Sequence, residues 1–205
     1  MSTAQTSGRR YSIHIVDVFT DKPLAGNQLA VVLDAEGIPG DVMQRIAKEM
    51  NISETVFVMA PEDPANAARI RIFTPGAELP FAGHPTIGTS WVLFTQGLIP
   101  GGALEFKLEE GVGPVAVRGE PGPSGTVFWM THPKVKFAEV IRDRAAAVAA
   151  VGLVEDDLVP DVPIQVASTG VPFAYVALKN AKSVDSAVSE KEPLAKDFEQ
   201  GVFLF

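Results

Sequence analysis

Phe73-Thr74-Pro75-Gly76-Ala77-Glu78-Leu79-Pro80-Phe81-Ala82-Gly83-His84-Pro85-Thr86 runs from a strand through a Pro/Gly loop directly into the start of a helix. Proline suits the first helical position, because its missing N–H costs nothing there. Pro85 therefore reads as the helix start and His84 as the residue at or beside the cap. On this reading Thr86, Ile87 and Gly88 present backbone N–H groups without intrahelical acceptors. With the helix dipole behind them, those groups form a cradle for a carboxylate or a developing oxyanion. By itself the motif is equally a tight loop closed by a cap, so the surrounding segments have to decide.

Past Pro85 the helix carries Ile87, Trp91, Val92, Leu93 and Phe94 around its circumference, with Gly88, Thr89 and Ser90 as small residues, the pattern of a helix buried on most sides from Pro85 to Gln96. The flanking segments read as strands that wrap it. Upstream these are Tyr11 to Phe19, Leu29 to Leu33, Thr55 to Met59 and Ala68 to Phe73. Downstream they are Ala103 to Leu108, Gly113 to Arg118 and Thr126 to Thr131. Between the second and third, Pro39-Gly40-Asp41 opens an amphipathic helix with Val42, Met43, Ile46, Ala47 and Met50 on its apolar stripe. Asn51 is its expected stop, since Asn tolerates the left-handed conformation. Beyond Pro133 come an Ala-rich helix from Asp143 to Val151, strands at Pro163 to Ser168 and Phe173 to Leu178, a polar helical segment from Ser183 to Gln200, and an apolar strand from Val202 to Phe205. That last strand is expected to need covering by something further.

The chain has 205 residues, 46% of them hydrophobic and 20% charged, enough for one large domain or two small ones. A net charge of −8 without a basic cluster argues against nucleic acid or anionic membrane as partners and leaves small molecules as the expected class. No apolar run reaches the length of a membrane span, and the polar residues 1–10 read as a disordered leader, so a cytoplasmic protein is expected. Cysteine is absent, which removes disulfides, thiolate metal sites and thiol bases; proton transfer must then use Asp, Glu, His, Lys or Tyr. The three histidines, His14, His84 and His132, match no metal-ligand spacing, and no metal is expected.

Asn51-Ile52-Ser53-Glu54-Thr55 sits at a helix-to-strand junction, from which Glu54 can project at the rim of a sheet, although a glutamate there is also an ordinary solvated strand start. Gly26-Asn27 follows the first strand. These two loops and the one holding Gly83 and His84 can converge at one end of the sheet.

Four ordered segments make the chain resemble the PhzF-like family of phenazine-biosynthesis isomerases. They are Val16-Asp17-Val18-Phe19-Thr20 continuing to Gly26-Asn27, Asn51-Ile52-Ser53-Glu54-Thr55, Phe73-Thr74-Pro75 through Gly83-His84-Pro85-Thr86, and Ser168-Thr169-Gly170-Val171-Pro172-Phe173. The resemblance implies an α/β (α+β), diaminopimelate-epimerase-like fold: a mixed, curled sheet around a central helix, in two similar domains with the active site in the cleft between them. Residues 1–135 would be the first domain and 136–205 the incomplete opening of the second. It further implies a cofactor-independent isomerase that shifts a proton on a small carboxylated metabolite. Glu54 would be the catalytic acid/base, His84 would assist it, and Gly26, Asn27, Ser53, Gly83, Thr86 and Ile87 would bind substrate. Where cysteine-using epimerases of that fold carry a thiol base, this chain has Ala82.

Two departures accompany the resemblance. Gln28 stands where the family usually follows Gly-Asn with Pro. The family's Arg-x-Phe-x-Pro run and Glu-Asp-Pro-x-Thr-Gly-Ser motif have no counterpart here. A complete site is therefore expected to need a homodimeric partner or a complementing second-domain polypeptide. The contrasting reading is a non-catalytic, truncated homologue that binds a ligand or partner.

Overall fold

The computed structural model describes residues 9–188 and 201–205. The chain divides into two compact units, Met1–His132 and Pro133–Phe205, against the expected boundary after residue 135. Residues 1–8, in the expected leader, and 189–200, in the expected polar helix, lie outside the described residues. Arg9, assigned to the leader, is in fact anchored: its guanidinium donates to the carbonyls of Glu36 (2.8 Å) and Asp34 (3.0 Å) and lies over the Tyr11 ring.

The first unit runs β1 (Ile13–Val18), β2 (Asn27–Val32), α1 (Gly40–Met50), β3 (Glu54–Met59), β4 (Ala68–Phe73), β5 (Glu78–Leu79), α2 (Gly83–Thr95), β6 (Glu105–Glu110), β7 (Gly113–Gly122) and β8 (Gly125–Met130). These strands form one eight-stranded mixed sheet in the order β1-β2-β3-β4-β6-β7-β8, with β5 paired to β4. The pairs β2–β3 and β4–β6 are parallel; α1 and α2 are their crossovers. Although β1 and β8 are opposite edges, both pack on α2, so the sheet curls around that helix.

Strand alternation separates two cores. Leu29 and Val31, Val56 and Val58, and Ile70 and Ile72 point inward with Leu108, Val117 and Phe128 against Val92 and Leu93 of α2. Val32, Phe57, Met59 and Phe73 point outward against Met43 and Ala47 of α1. Burial on both faces explains why β2 and β3 read as continuous apolar runs. Each buried Val or Leu contributes about 1.5–3 kcal/mol through removal from water.

The inner helix approaches the sheet closely because Gly88 has no side chain: a Cβ there would lie 2.6 Å from Leu29 Cδ2 and 2.7 Å from Val18 Cγ2. Pro85, Thr86, Gly88, Thr89, Ser90, Val92 and Leu93 are buried, whereas Trp91 is exposed, so the helix is enclosed on most but not all of its circumference. On the outer face α1 ends at Asn51 in the left-handed region (φ 51°, ψ 38°), its N–H donating to Ala47 O.

The second unit runs β9 (Lys136–Ile141), α3 (Arg144–Ala149), β10 (Ile164–Ser168), β11 (Pro172–Val176), α4 (Ala181–Ser186) and β12 (Val202–Leu204). Its sheet order is β12-β11-β10-β9, with only β11–β12 parallel. Val148, Val151, Leu158, Ile164, Val166, Ala174 and Val176 form its core. Asp143 caps α3 by accepting from Ala146 N–H at 3.0 Å. The residues of β9 are mostly exposed and show no alternation, which is why no strand is expected there from the sequence. No described helix is long and apolar enough to cross a membrane.

Candidate active site

Parallel pairing puts the starts of β2 and β3 side by side, with Leu29 opposite Glu54. Asn27, at the head of β2, accepts a hydrogen bond from Ser53 Oγ through its Oδ1 at 3.0 Å. The left-handed turn at Asn51 ends α1 in time for Ser53 and Glu54 to reach this rim. From the other side the loop after β5 delivers the first turn of α2, and His84 Nε2 lies 3.1 Å from Glu54 Oε2. The loops carrying Asn27, Ser53, Glu54 and His84 thus meet at one end of the sheet.

The contact has the distance of an ion pair but not the alignment of a hydrogen bond, and neither atom has a hydrogen-bond partner among the described residues. The side chains are only 9% (His84) and 16% (Glu54) exposed. A buried polar atom without a partner costs about 1–3 kcal/mol, so two of them facing each other single out this pair as the candidate site.

The helix start differs from expectation. Ala82 is the N-cap and Gly83 the first helical residue, so Pro85 occupies the third position. A proline anywhere in the first turn lacks only an N–H that has no acceptor there, and the motif alone cannot separate first from third. The free donors therefore shift. Thr86 N–H donates to Ala82 O at 3.2 Å, and Ile87 and Gly88 lie within the helical ladder. Gly83 and His84 hold the N–H groups without an acceptor among the described residues. The free N–H groups expected at Thr86 and Ile87 are instead those of Gly83 and His84.

Gly26 serves clearance: a Cβ there would collide with the Val18 carbonyl and lie 2.6 Å from Thr20 Cγ2. The loop it closes carries Phe19 (φ 62°) and Leu24 (φ 64°), both exposed and both in the left-handed region. Asp17 Oδ2 holds this loop by accepting from Leu24 N–H at 2.8 Å. Of the other histidines, His132 packs edge-on against Phe81, with centroids 5.2 Å apart, and His14 sits on β1. In the second unit the Ser168–Phe173 segment is the β10–β11 turn, where Ser168 Oγ accepts from Gly170 N–H at 3.0 Å.

One residue beside the site was missed from the sequence. Glu110, at the end of β6, is 8% exposed, and its Oε1 lies 2.7 Å from Thr86 Oγ1 on α2. Burial pushes its carboxyl up to about 7 despite the opposing effect of the Thr86 contact. The alternation Phe106, Leu108, Glu110 was the available signal, because it places this glutamate on the inward face of its strand. Glu110 also lines a cleft of about 730 Å³ beside β4, with Arg69, Arg71, Glu62, Glu78 and Glu109 among others. Its charges are largely matched internally: Arg71 grips Glu78 through two 2.7 Å bonds, and Arg69 pairs with Glu62. Hydrogen bonds from the Asn66 side chain and the Glu62 and Asp63 N–H groups hold the Glu109 carboxyl below the usual range.

Comparison with known proteins identifies the fold and the family. The chain is 40% identical over 181 residues to an uncharacterized isomerase of Mesorhizobium japonicum, covering 85% of this chain and 58% of that protein. It is 35% identical over 172 residues to the trans-2,3-dihydro-3-hydroxyanthranilate isomerase of Pseudomonas aeruginosa, covering 84% and 59%. A solved structure of a "predicted epimerase" from Pseudomonas aeruginosa superposes with a TM-score of 0.81 at 29% identity, covering 96% of this chain and 69% of that one. The chain spans about three-fifths of the length of the two sequence relatives. Residues 16–205 match the family described as phenazine biosynthesis-like protein, PhzC-PhzF. With nearly the whole chain matched, the curled sheet around α2 is the fold of that family's isomerases and epimerases, and the chain belongs to the PhzC-PhzF family.

Proposed function

We propose that the protein is a cofactor-independent isomerase that moves a proton between two carbons of a small carboxylated metabolite. The observation that carries this reading is the buried, unfilled Glu54–His84 contact at 3.1 Å. Glu54 takes a proton from one substrate carbon and returns it to another, so the substrate's composition is unchanged and no oxidant or acceptor is required. His84 orients or polarises the group beside the reacting carbon. The N–H groups of Gly83 and His84, at the positive end of α2, hold the carboxylate or the enolate-like oxygen that develops as the proton leaves. Asn27 and Ser53 shape the rim next to them. A relative named for isomerising a dihydro-hydroxyanthranilate supports the substrate class.

Because the chain spans about three-fifths of its relatives, we propose that full activity needs the remaining portion, supplied in the same polypeptide or as a separate one. The test is incorporation of solvent deuterium into trans-2,3-dihydro-3-hydroxyanthranilate, followed by mass spectrometry on this chain alone and on the completed protein. Exchange by the completed protein that disappears in Glu54→Gln, with an unchanged circular dichroism spectrum, is the expected result. Exchange that is unaffected by Glu54→Gln refutes the catalytic assignment, and a normal enzymatic rate from this chain alone refutes the need for completion.

A further inference from the structure

Thr86 Oγ1 lies 2.8 Å from Ala82 O and 2.7 Å from Glu110 Oε1. A threonine hydroxyl has one proton, and a carbonyl can only accept. Both short contacts are hydrogen bonds only if the second proton comes from Glu110. The chain then runs in one direction: the Glu110 carboxyl O–H donates to Thr86 Oγ1, and Thr86 O–H donates to Ala82 O. Ala82 is the N-cap of α2, immediately before Gly83 and His84, whose N–H groups and ring form the proposed site.

We propose that Glu110 is a positioning residue, held in its protonated form beneath α2, and that the relay Glu110–Thr86–Ala82 fixes the helix turn presenting His84 and the free N–H groups of Gly83 and His84. When Glu110 ionises it can only accept. Thr86 must then turn its proton to the carboxylate, leaving Ala82 O with only the longer 3.2 Å bond from Thr86 N–H, which loosens the cap. Among the described residues the carboxyl has no hydrogen bond or ion pair other than its contact with Thr86. Thr86 is 0% exposed, Glu110 Oε2 has no hydrogen-bond partner among the described residues, and none of the described ion pairs includes Glu110. The charged groups sharing its cleft are Glu62 and Asp63 before β4, Arg69 and Arg71 on β4, Glu78 on β5 and Glu109 on its own strand; both arginines are already paired. Around the turn itself stand Glu54, His84 and His132. The raised carboxyl, at about 7, places the switch near neutrality.

This inference rests on reading His84 and Glu54 as the reacting pair, but its test does not use activity. In uniformly ¹³C,¹⁵N-labelled protein, the Glu110 side-chain carboxyl and the Gly83 and His84 amide resonances are followed by NMR from pH 5 to 9. The carboxyl titrates near neutrality and both amides shift with the same midpoint. In Thr86→Val the carboxyl still titrates but the amides lose that component, whereas Thr86→Ser, which keeps the hydroxyl, retains it. Glu110→Gln removes the component. A Glu110 carboxyl that titrates in the ordinary carboxylate range, or amide shifts that survive unchanged in Thr86→Val, overturns the proposal. Exchange by the completed protein that survives Glu54→Gln, with the coupling intact, would refute the proposed function and leave this relay standing.

Discussion

Replacing Glu110 by glutamine is expected to remove a pH-dependent loss of stability from the first unit. In the unfolded chain this carboxyl ionises near 4.5, and in the folded protein near 7. Between those values the native state holds a proton that the unfolded state has released, so stability falls as pH rises through the window and levels off above it. At about 1.4 kcal/mol per pH, the interval from 4.5 to about 7 amounts to about 3 kcal/mol. That is a large share of the roughly 5–15 kcal/mol that holds a typical domain together. Glutamine cannot ionise, and its amide can still donate to Thr86. The variant should match the native protein near pH 4, below the unfolded value, and exceed it by about 3 kcal/mol at pH 8. Urea unfolding followed by tryptophan fluorescence is the suitable assay, because both tryptophans, Trp91 and Trp129, lie in the first unit. Titrations common to both proteins cancel in the difference. A difference that stays constant within about 0.5 kcal/mol from pH 4 to 8 would refute the raised carboxyl and, with it, the protonated relay that the Thr86 contacts require.

Gly88→Leu should destabilise the first unit by about 1–3 kcal/mol or more, since even a Cβ meets Leu29 and Val18 below 2.8 Å; an unchanged urea midpoint would contradict the close helix–sheet contact. Asn51→Val places a β-branched residue at φ 51° and should cost about 1–2 kcal/mol, with slower deuterium exchange from substrate in the completed protein because Ser53 and Glu54 follow that turn. Arg71→Met should change stability by no more than about 1 kcal/mol, because the Arg71–Glu78 pair is 33% and 42% exposed; a larger loss would show that the cleft beside β4 depends on this pair.

Features set by local backbone chemistry were legible in the sequence. The stripe of α1, its stop at Asn51, the strands around Val56 and Ile70 and the helix after Phe81 depend on periodicity, capping and the lack of a side chain at Gly88, all encoded within a few residues of where they act. The failures have equally local causes. The start of α2 was displaced from Gly83 to Pro85 because proline is compatible with any position in a first turn. The short β5 exists only through its pairing with β4, and β9 carries no burial pattern to announce it.

Glu110 shows where local reading stops. Its inward parity is visible beside Phe106 and Leu108, but at the end of a strand that parity normally opens onto water. It becomes a buried carboxyl only because β4 and β6 pair in parallel and α2, their crossover, lies behind the sheet with Thr86 facing it. The sequence by itself determined which groups could do chemistry: no thiol, one histidine at a helix start, one glutamate at a strand start, and family motifs linking them. Only the tertiary structure decided that Glu54 and His84 meet at 3.1 Å and that Gly83 and His84, rather than Thr86 and Ile87, keep their N–H groups free. The physical reason is that composition and periodicity specify which face of an element is apolar, whereas strand pairing and helix docking, which bring distant residues together, are settled by how those faces bury one another across the whole fold.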